Sequence, residues 1–504
     1  MIRFGPFQVD PRTWTLSRDG EAVDLSPRLV EILGYLAARG GEIVTKEELL
    51  DRFWPGVNIT DNTLTRAVAD IRKALGDDAG NPNYLQTVAR RGYRFVGESA
   101  GVAAVSRARA ATPTMGKAEP DPSTSLGAGD DPFKAWVKGR LALDSLDVNR
   151  LPGAVAAFER AAGELPTYAP AHAGLANAYL MQFERTRLGS VPDRALLTRA
   201  IAAAERACAI DPSLGEAWST LGYLLSTSGA GDEGQAAARR AAALEPDNWR
   251  HQFRLAYATW GEERLRAVDT TLRLKPGFAP ARMLSAMVFI ARGALDRAER
   301  EATLGADSQR QHRDDHTPLS PVGLHWLRGL IVAVRGDHAG ALGCFDEEIA
   351  GDATGHVYGR EFMVNARVAI GFTLLVRREF EAAADAFHTA LREAPQHPRA
   401  TLGLYAIAVQ NGDTRGIEPA ARAVEQTIAE LRSGDRVNEL ALVSASAHAT
   451  RGQAAEAIAV LDRLLTTAPT GPAGWIIPVD PMLLALSSAP GFNGLLAKLA
   501  ARAS

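Results

Sequence analysis

The sequence predicts an α+β domain over its first hundred residues and an all-α superhelix of repeated helical pairs over most of the rest. Three observations carry this. Short β-prone runs and amphipathic helices alternate up to about Glu98. A polar stretch poor in large apolar residues follows. An alanine-rich phrase closed by proline then recurs towards the C-terminus. With 504 residues the chain is long enough for more than one core. The expected divisions are 1–98, 99–131 and 132–504.

In the first part, Phe4, Phe7 and Val9 alternate with smaller or polar residues, as in a half-buried strand. Trp14–Leu16 and Ala22–Leu25 flank Ser17-Arg18-Asp19-Gly20, and Asp-Gly between β-prone runs signals a hairpin. Ser26-Pro27 opens a helix whose apolar face is Leu29, Ile32, Leu33 and Leu36; Gly40-Gly41 ends it. Thr45 caps the next helix, and Glu48 three residues on completes a capping box. That helix carries Leu49, Leu50 and Phe53 and stops at Trp54-Pro55-Gly56. A third helix, from Thr60 or Asp61 through Leu75, puts Leu64, Val68, Ile71 and Leu75 on one face. Asn83–Val88 and Tyr93–Val96 read as paired strands around Ala89-Arg90-Arg91-Gly92.

Residues 99–131 are rich in Ala, Gly, Ser, Thr, Pro and Asp and read as a flexible linker. Arg107, Arg109 and Lys117 within it read as solvated. From 132 onward, Ala154–Pro166, Ala200–Pro212, Gly234–Pro246, Ala382–Pro395 and Ala457–Pro469 are versions of one amphipathic helix. Pro212 and Pro246 stand 34 residues apart, the period of the tetratricopeptide repeat. His172, Leu175, Ala176 and Tyr179 fit the first helix of such a unit, and Trp218, Leu221 and Gly222 fit another. There a small residue lets two helices cross closely and a large one fills the gap beside it. Ala383, Phe387, Ala390 and Pro395 match the second helix; Ala341 and Phe345 mark a weaker copy. Seven to nine units are expected, and since one pair cannot bury its own apolar face they must stack. Stacking creates a concave surface for partners.

Residues 1–98 closely resemble the winged-helix effector domain of OmpR/PhoB-type regulators. The residues that carry this are Leu25–Gly56, Ile59–Asp78 and Tyr84–Phe95, in the family's order and spacing. Arg at position 90 in place of 89 is the pattern of the ToxR/CadC/HilA-like branch. The resemblance implies an N-terminal four-stranded sheet, three helices and a C-terminal hairpin wing. It also implies that the third helix enters the major groove of double-stranded DNA while the wing reaches the adjacent minor groove or backbone. The polar linker resembles the HilA-like arrangement, where members with a membrane anchor carry an apolar helix.

The charge pattern is compatible with that role. Net charge is −3, but Tyr84–Gly97 holds Arg90, Arg91 and Arg94 and no acid. If the leucine side of the third helix faces the core, Thr63, Arg66, Asp70 and Lys73 project outward. Arg66 is the expected base reader, its fork suiting guanine O6 and N7. Thr63 and Thr65 are expected on phosphate or a base edge, Arg72 and Lys73 as phosphate clamps. Arg90 and Arg91 suit a narrow minor groove; Arg94 reads either way. Thr45 and Lys46, at a helix N-terminus, suit a phosphate. Tyr93 and Phe95 are expected in the core. So is Trp54, with DNA backbone or RNA polymerase as its other reading.

Other functions find less support. There is no phosphate-cradling glycine loop, nucleophile elbow or paired metal-ligand spacing, so no catalytic residue, cofactor or metal is expected. His312, Asp314, Asp315 and His316 read as an inter-repeat loop before a metal site. A phosphorylated receiver domain, which many members of that family carry, is not expected here. Cys208 and Cys344 read as buried apolar residues, and two distant cysteines fit a reducing compartment. Without a secretory signal or a membrane-length apolar run, the cytoplasm is expected. Asp480–Leu499 resembles the segment that caps the last repeat in similar proteins. The expected function is a one-component transcription regulator whose repeats hold a protein, peptide or small-molecule effector. The competing reading is a repeat scaffold with weak or vestigial DNA binding.

Overall fold

The computed structural model describes residues 2–10, 15–23, 25, 27–53, 61–78, 80, 82–88, 91–97, 132–144, 149–186, 192–311, 323–351 and 358–504. The expected linker, the Trp54-Pro55-Gly56 stop, Arg90 and the His312–His316 run lie outside these residues. The chain divides into two compact units, Met1–Val137 with Arg160–Tyr168, and Lys138–Glu159 with Ala169–Ser504.

The first unit opens with an antiparallel meander of β1 (Ile2–Phe4), β2 (Phe7–Asp10), β3 (Thr15–Arg18) and β4 (Glu21–Val23). The Asp-Gly turn closes β3 on β4 with Arg18 opposite Glu21. Both turn residues have positive φ, Asp19 at +53° and Gly20 at +91°, the twist a two-residue hairpin needs. Then come α1 (Pro27–Ala38), β5 (Ile43–Thr45), α2 (Lys46–Phe53), α3 (Asp61–Leu75), β6 (Leu85–Val88) and β7 (Gly92–Phe95). Pro27 occupies the first helical position, as expected. The second sheet runs β5-β7-β6, so the C-terminal hairpin gains a third strand that the sequence did not announce. Phe4, Phe7, Val9, Leu16, Ile32, Leu33, Leu36, Leu49, Phe53, Tyr93 and Phe95 are buried. Phe4 meets Phe7, Tyr84 and Phe95 at 5.0–5.8 Å between ring centres. This is an α+β winged helix-turn-helix fold.

The rest is helical. After α4 (Pro132–Asp144) and α5 (Leu151–Glu164) come α6 (Ala169–Glu184), α7 (Arg194–Ile210), α8 (Gly215–Ser228), α9 (Gly231–Leu244), α10 (Trp249–Ala258), α11 (Gly261–Leu274), α12 (Ala279–Ala291) and α13 (Leu295–Gln311). They continue as α14 (Leu324–Val334), α15 (His338–Ala350), α16 (Gly359–Val376), α17 (Phe380–Glu393), α18 (Pro398–Gln410), α19 (Ile417–Ser433), α20 (Val437–Thr450), α21 (Ala454–Thr467) and α22 (Phe492–Arg502). Among the described residues, α6 to α21 make eight consecutive packed pairs. First helices pack on first helices of the next pair: α6 on α8, α8 on α10, α14 on α16, α16 on α18 and α18 on α20.

Side-chain size explains the pairing. A Cβ on Gly222 of α8 would lie 2.7 Å from the backbone N of Ala238 in α9, so only glycine allows that crossing. Elsewhere a phenylalanine from a second helix fills the space glycine leaves. Phe158 lies against Gly139 and Gly174, Phe345 against Gly329, and Phe387 against Gly371 and Gly403. Burial pushes the Cys208 thiol up to about 12 and raises that of Cys344.

The C-terminal segment does more than the expected cap. Two 3-10 turns, Ile477–Val479 and Leu484–Leu486, lead into α22. Their buried residues pack on Leu442, Ala457 and Leu461 of the last pair. On the other side they pack on Trp260 beside α11 and Val288 and Ala291 of α12. Arg292 donates from Nε to the Ala503 carbonyl at 2.8 Å. Leu483, Leu486, Phe492, Leu495 and Leu499 give the segment more apolar surface than one repeat can cover, so it is buried on two fronts.

Candidate nucleic-acid interface

The candidate interface is built on α3. Leu64, Val68, Ile71 and Leu75 are 0–3% exposed and fix which side of the helix faces the core. Thr65, Ala69, Asp70 and Lys73 are exposed. Position 66 lies three, four and seven residues before Ala69, Asp70 and Lys73, on the same helical stripe. The side chains of Thr63 and Arg66 are outside the described residues.

Two groups tie α3 to the hairpin. Arg72 donates from Nε and Nη2 to the Leu85 carbonyl at 3.2 and 2.7 Å, and from Nη2 to Thr87 Oγ1 at 2.8 Å. The phosphate-clamp role expected of Arg72 therefore meets a competing use within the fold. Asp77, which the sequence reading did not single out, accepts backbone N–H groups from Asn83 (2.6 Å), Tyr84 (3.2 Å) and Leu85 (2.8 Å). Its only sequence signal is an acid just past the helix end, ahead of a strand. Asp77→Ala strands three donors and is expected to cost about 2–3 kcal/mol, the scale for hydrogen bonds to a charged group. Faster amide exchange at Leu85 than in the parent chain is the readout; unchanged exchange there would count against this anchor.

The hairpin tip closes with the Arg91 N–H donating to the Val88 carbonyl at 3.0 Å, and the Arg91 side chain is exposed. The Arg91 carbonyl accepts from the Lys46 N–H at 3.3 Å, which sets the N-terminus of α2 beside the wing. Thr45 Oγ1 accepts from the Glu48 N–H at 3.1 Å, half of the expected capping box. The other half is replaced, because the Glu48 carboxylate takes the Tyr35 hydroxyl and Arg39 instead. Burial, then the bond to Glu48, raises the Tyr35 pKa. Arg52 lies 4.0 Å from the Tyr35 ring centre. This cluster locks α1 to α2 and went unnoticed in the sequence, its members lying 4–17 residues apart without a motif. Arg94 sits in the central strand between Ile43 and Gln86, half-buried, its Nε shielded and without a hydrogen-bond partner. Tyr93 and Phe95 face the core from the other side of β7.

The structure thus joins α3, the hairpin and the start of α2 through Arg72, Asp77 and the Lys46–Arg91 bond. A family model described as "Transcriptional regulatory protein, C terminal" matches residues 20–95. The transcriptional activator CadC of Escherichia coli is 34% identical over 97 residues, 19% of each chain. The chain carries an OmpR/PhoB-type domain at its amino terminus. The regulator HilA of Salmonella typhimurium is 33% identical to that domain over 81 residues, 16% of this chain and 14% of HilA. The chain therefore spans under a fifth of the length of either relative. The solved DNA-binding domain of Klebsiella pneumoniae RstA, in complex with the RstA box, is 32% identical. It covers 19% of this chain and 94% of that one, at a TM-score of 0.18. Behind the OmpR/PhoB-type domain, a family model described as "Tetratricopeptide repeat" matches residues 369–414. Both families are non-enzymatic kinds. Among the described residues no helix is long and apolar enough to cross a membrane, and no cluster of three or more His, Cys, Asp or Glu could hold a metal.

Proposed function

We propose that this protein is a sequence-specific, one-component DNA-binding transcription regulator acting in the cytoplasm. Residues 1–98 grip double-stranded DNA, 99–131 form the tether, and the repeats of 132–504 hold an effector or partner protein. The observation that carries this reading is the bracing of α3. Its apolar side is buried, Arg72 and Asp77 hold it against the hairpin, and its outer stripe stays exposed. A helix held in this way suits a major groove.

Within this reading Arg66 reads a base edge, with Thr63 and Thr65 beside it. Lys73, Lys46, Thr45, Arg90 and Arg91 contact phosphate or the minor groove, and Arg94 supports the wing. Arg72 serves as a brace. CadC, a transcriptional activator, and HilA, a transcriptional regulator, support the assignment through their likeness to residues 1–98.

The test is a selection of bound duplexes from a random library with the full chain, followed by mobility shifts. With about six phosphate contacts, affinity should fall roughly a thousandfold between about 50 and about 200 mM salt. Arg66→Ala should lose about 1–3 kcal/mol of discrimination at one base pair, flattening sequence preference more than it weakens binding to random DNA. No retarded band at low salt, or an Arg66→Ala variant with intact preference, would overturn the reading.

A further inference from the structure

The repeat stack holds a partly open polar cavity between its first helices. The first helices of four consecutive pairs, α14, α16, α18 and α20, bound it together with Trp475–Pro481, leaving about 190 Å³. The wall is apolar on one part, with Trp326, Phe372 and Leu442, and strongly polar on another. Arg399, Arg436, Glu361, Glu439, Asn365 and His397 line it.

Each cation is held in place. Arg399 pairs with the fully buried Asp480 of the C-terminal segment, Nη2 to Oδ1 at 3.0 Å, and lies 5.2 Å from the Phe372 ring centre. Arg436 donates to Glu439 at 3.1 Å. His397 caps α18, its Nδ1 accepting from the Ala400 N–H at 3.4 Å, while Nε2 meets Asn365 Oδ1 at 3.3 Å. Burial, then Arg399 and Arg436, push His397 down to about 3, so it stays neutral beside the two guanidinia. The cavity therefore offers fixed cations, carboxylates and an apolar wall.

Size narrows the ligand. An engineered cavity of about 150 Å³ takes one benzene, whereas drug-sized sites start near 300 Å³. On that scale a space of about 190 Å³ accepts roughly eight heavy atoms. An extended peptide is disfavoured, because Trp475–Pro481 already lies across these first helices. Trp475 packs edge-on against Trp326 at 6.5 Å.

We infer that this cavity binds a free amino acid with an apolar side chain. Its carboxylate meets Arg399 and Arg436, its ammonium meets Glu361 and Glu439, and its side chain lies on Trp326, Phe372 and Leu442. This gives the effector of the proposed function a chemical class. It is read without DNA, so failure here and failure of DNA binding are separate results.

The experiment titrates the full chain with each of the twenty standard L-amino acids, following heat of binding and tryptophan emission. At least one apolar amino acid is expected to bind and shift the emission, Trp326 and Trp475 both lining the cavity. Its deaminated and its decarboxylated analogues should each bind at least tenfold more weakly. Arg436→Gln and Glu361→Gln should each weaken binding at least tenfold, while Arg422→Gln, on the exposed face of α19, should not. Ala369→Leu intrudes on the cavity from α16 and should abolish binding, and its helical circular dichroism, compared with that of the parent chain, separates lost binding from lost folding. Absence of binding by all twenty at 10 mM, analogues that bind equally well, or full binding by Ala369→Leu would overturn the inference.

Discussion

Gly92→Ala is expected to dismantle the sheet that carries the wing and, with it, DNA binding. Gly92 starts β7 at φ +151°, and an added Cβ would lie 2.0 Å from the Val44 carbonyl oxygen and 2.7 Å from the Thr45 Cα. Both obstacles are backbone of β5, so no side-chain rotation relieves them. Either β5 or the wing must move, breaking the Thr45–Gly92 register and the Lys46–Arg91 bond beside it. Backbone strain and a broken sheet together put the loss at roughly 3–5 kcal/mol, in the tail of single-substitution effects. Gly20→Ala is the control. Its φ is +91°, but nothing lies within 4 Å of the new Cβ. Only the left-handed conformation is penalised there, about 1–2 kcal/mol. Calorimetric melting of the full chain, with amide exchange at Tyr93 and Phe95, compares the two. Equal losses in both variants would show that φ, and not the approach of β5, is what glycine serves at position 92.

The reason for Gly92 also shows where the sequence stops being legible. The sequence places Gly92 in the turn between two strands; the structure adds a third strand pressed against it. Ile43–Thr45 is too short to display a period of two, and Thr45 had already been read as a helix cap. Such a strand exists because β7 comes back to it from some fifty residues on, which no local pattern records. Elements with a long self-consistent pattern were readable: the leucine stripe of α3, the Asp-Gly hairpin, the prolines after the second repeat helices. Each is fixed by contacts within one or two turns of chain.

The same distinction sorts the site. Asp70 and Lys73 could be placed outward by counting along α3, since helical geometry decides it. Arg72 could not, because its partner is the Leu85 carbonyl thirteen residues later. Asp77 looked like one more loop acid until three amides converged on it. The C-terminal segment is the extreme case. Its leucines could be seen to need burial, but Trp260 and Val288, which help bury them, lie about two hundred residues upstream. The cavity under it is invisible for the same reason: Trp326, His397, Arg436 and Trp475 share no motif.

The second large effect is expected from Phe387→Ala, and it tests whether the repeats hold together pair by pair. Phe387 is fully buried in α17 between Gly371 of α16 and Gly403 of α18, where added Cβ atoms would come within 2.5 and 2.3 Å of its ring. It also meets Phe372 edge-on at 5.0 Å. Truncation empties a slot walled by helix backbone on two sides. Collapse is blocked, because closing the gap would require α16 and α18 to move together. The loss should therefore approach the upper part of the range for large core residues, about 3–5 kcal/mol. A stack whose units touch only their neighbours confines such damage locally. Amide exchange should accelerate in α16, α17 and α18 and leave α8 and α9 protected. The C-terminal segment sets the limit of that locality, since Arg399 of α18 grips Asp480 while Arg292 grips Ala503. If α12 and α22 lose protection in step with α17, the segment couples distant repeats and nearest-neighbour stacking fails as a description of this protein.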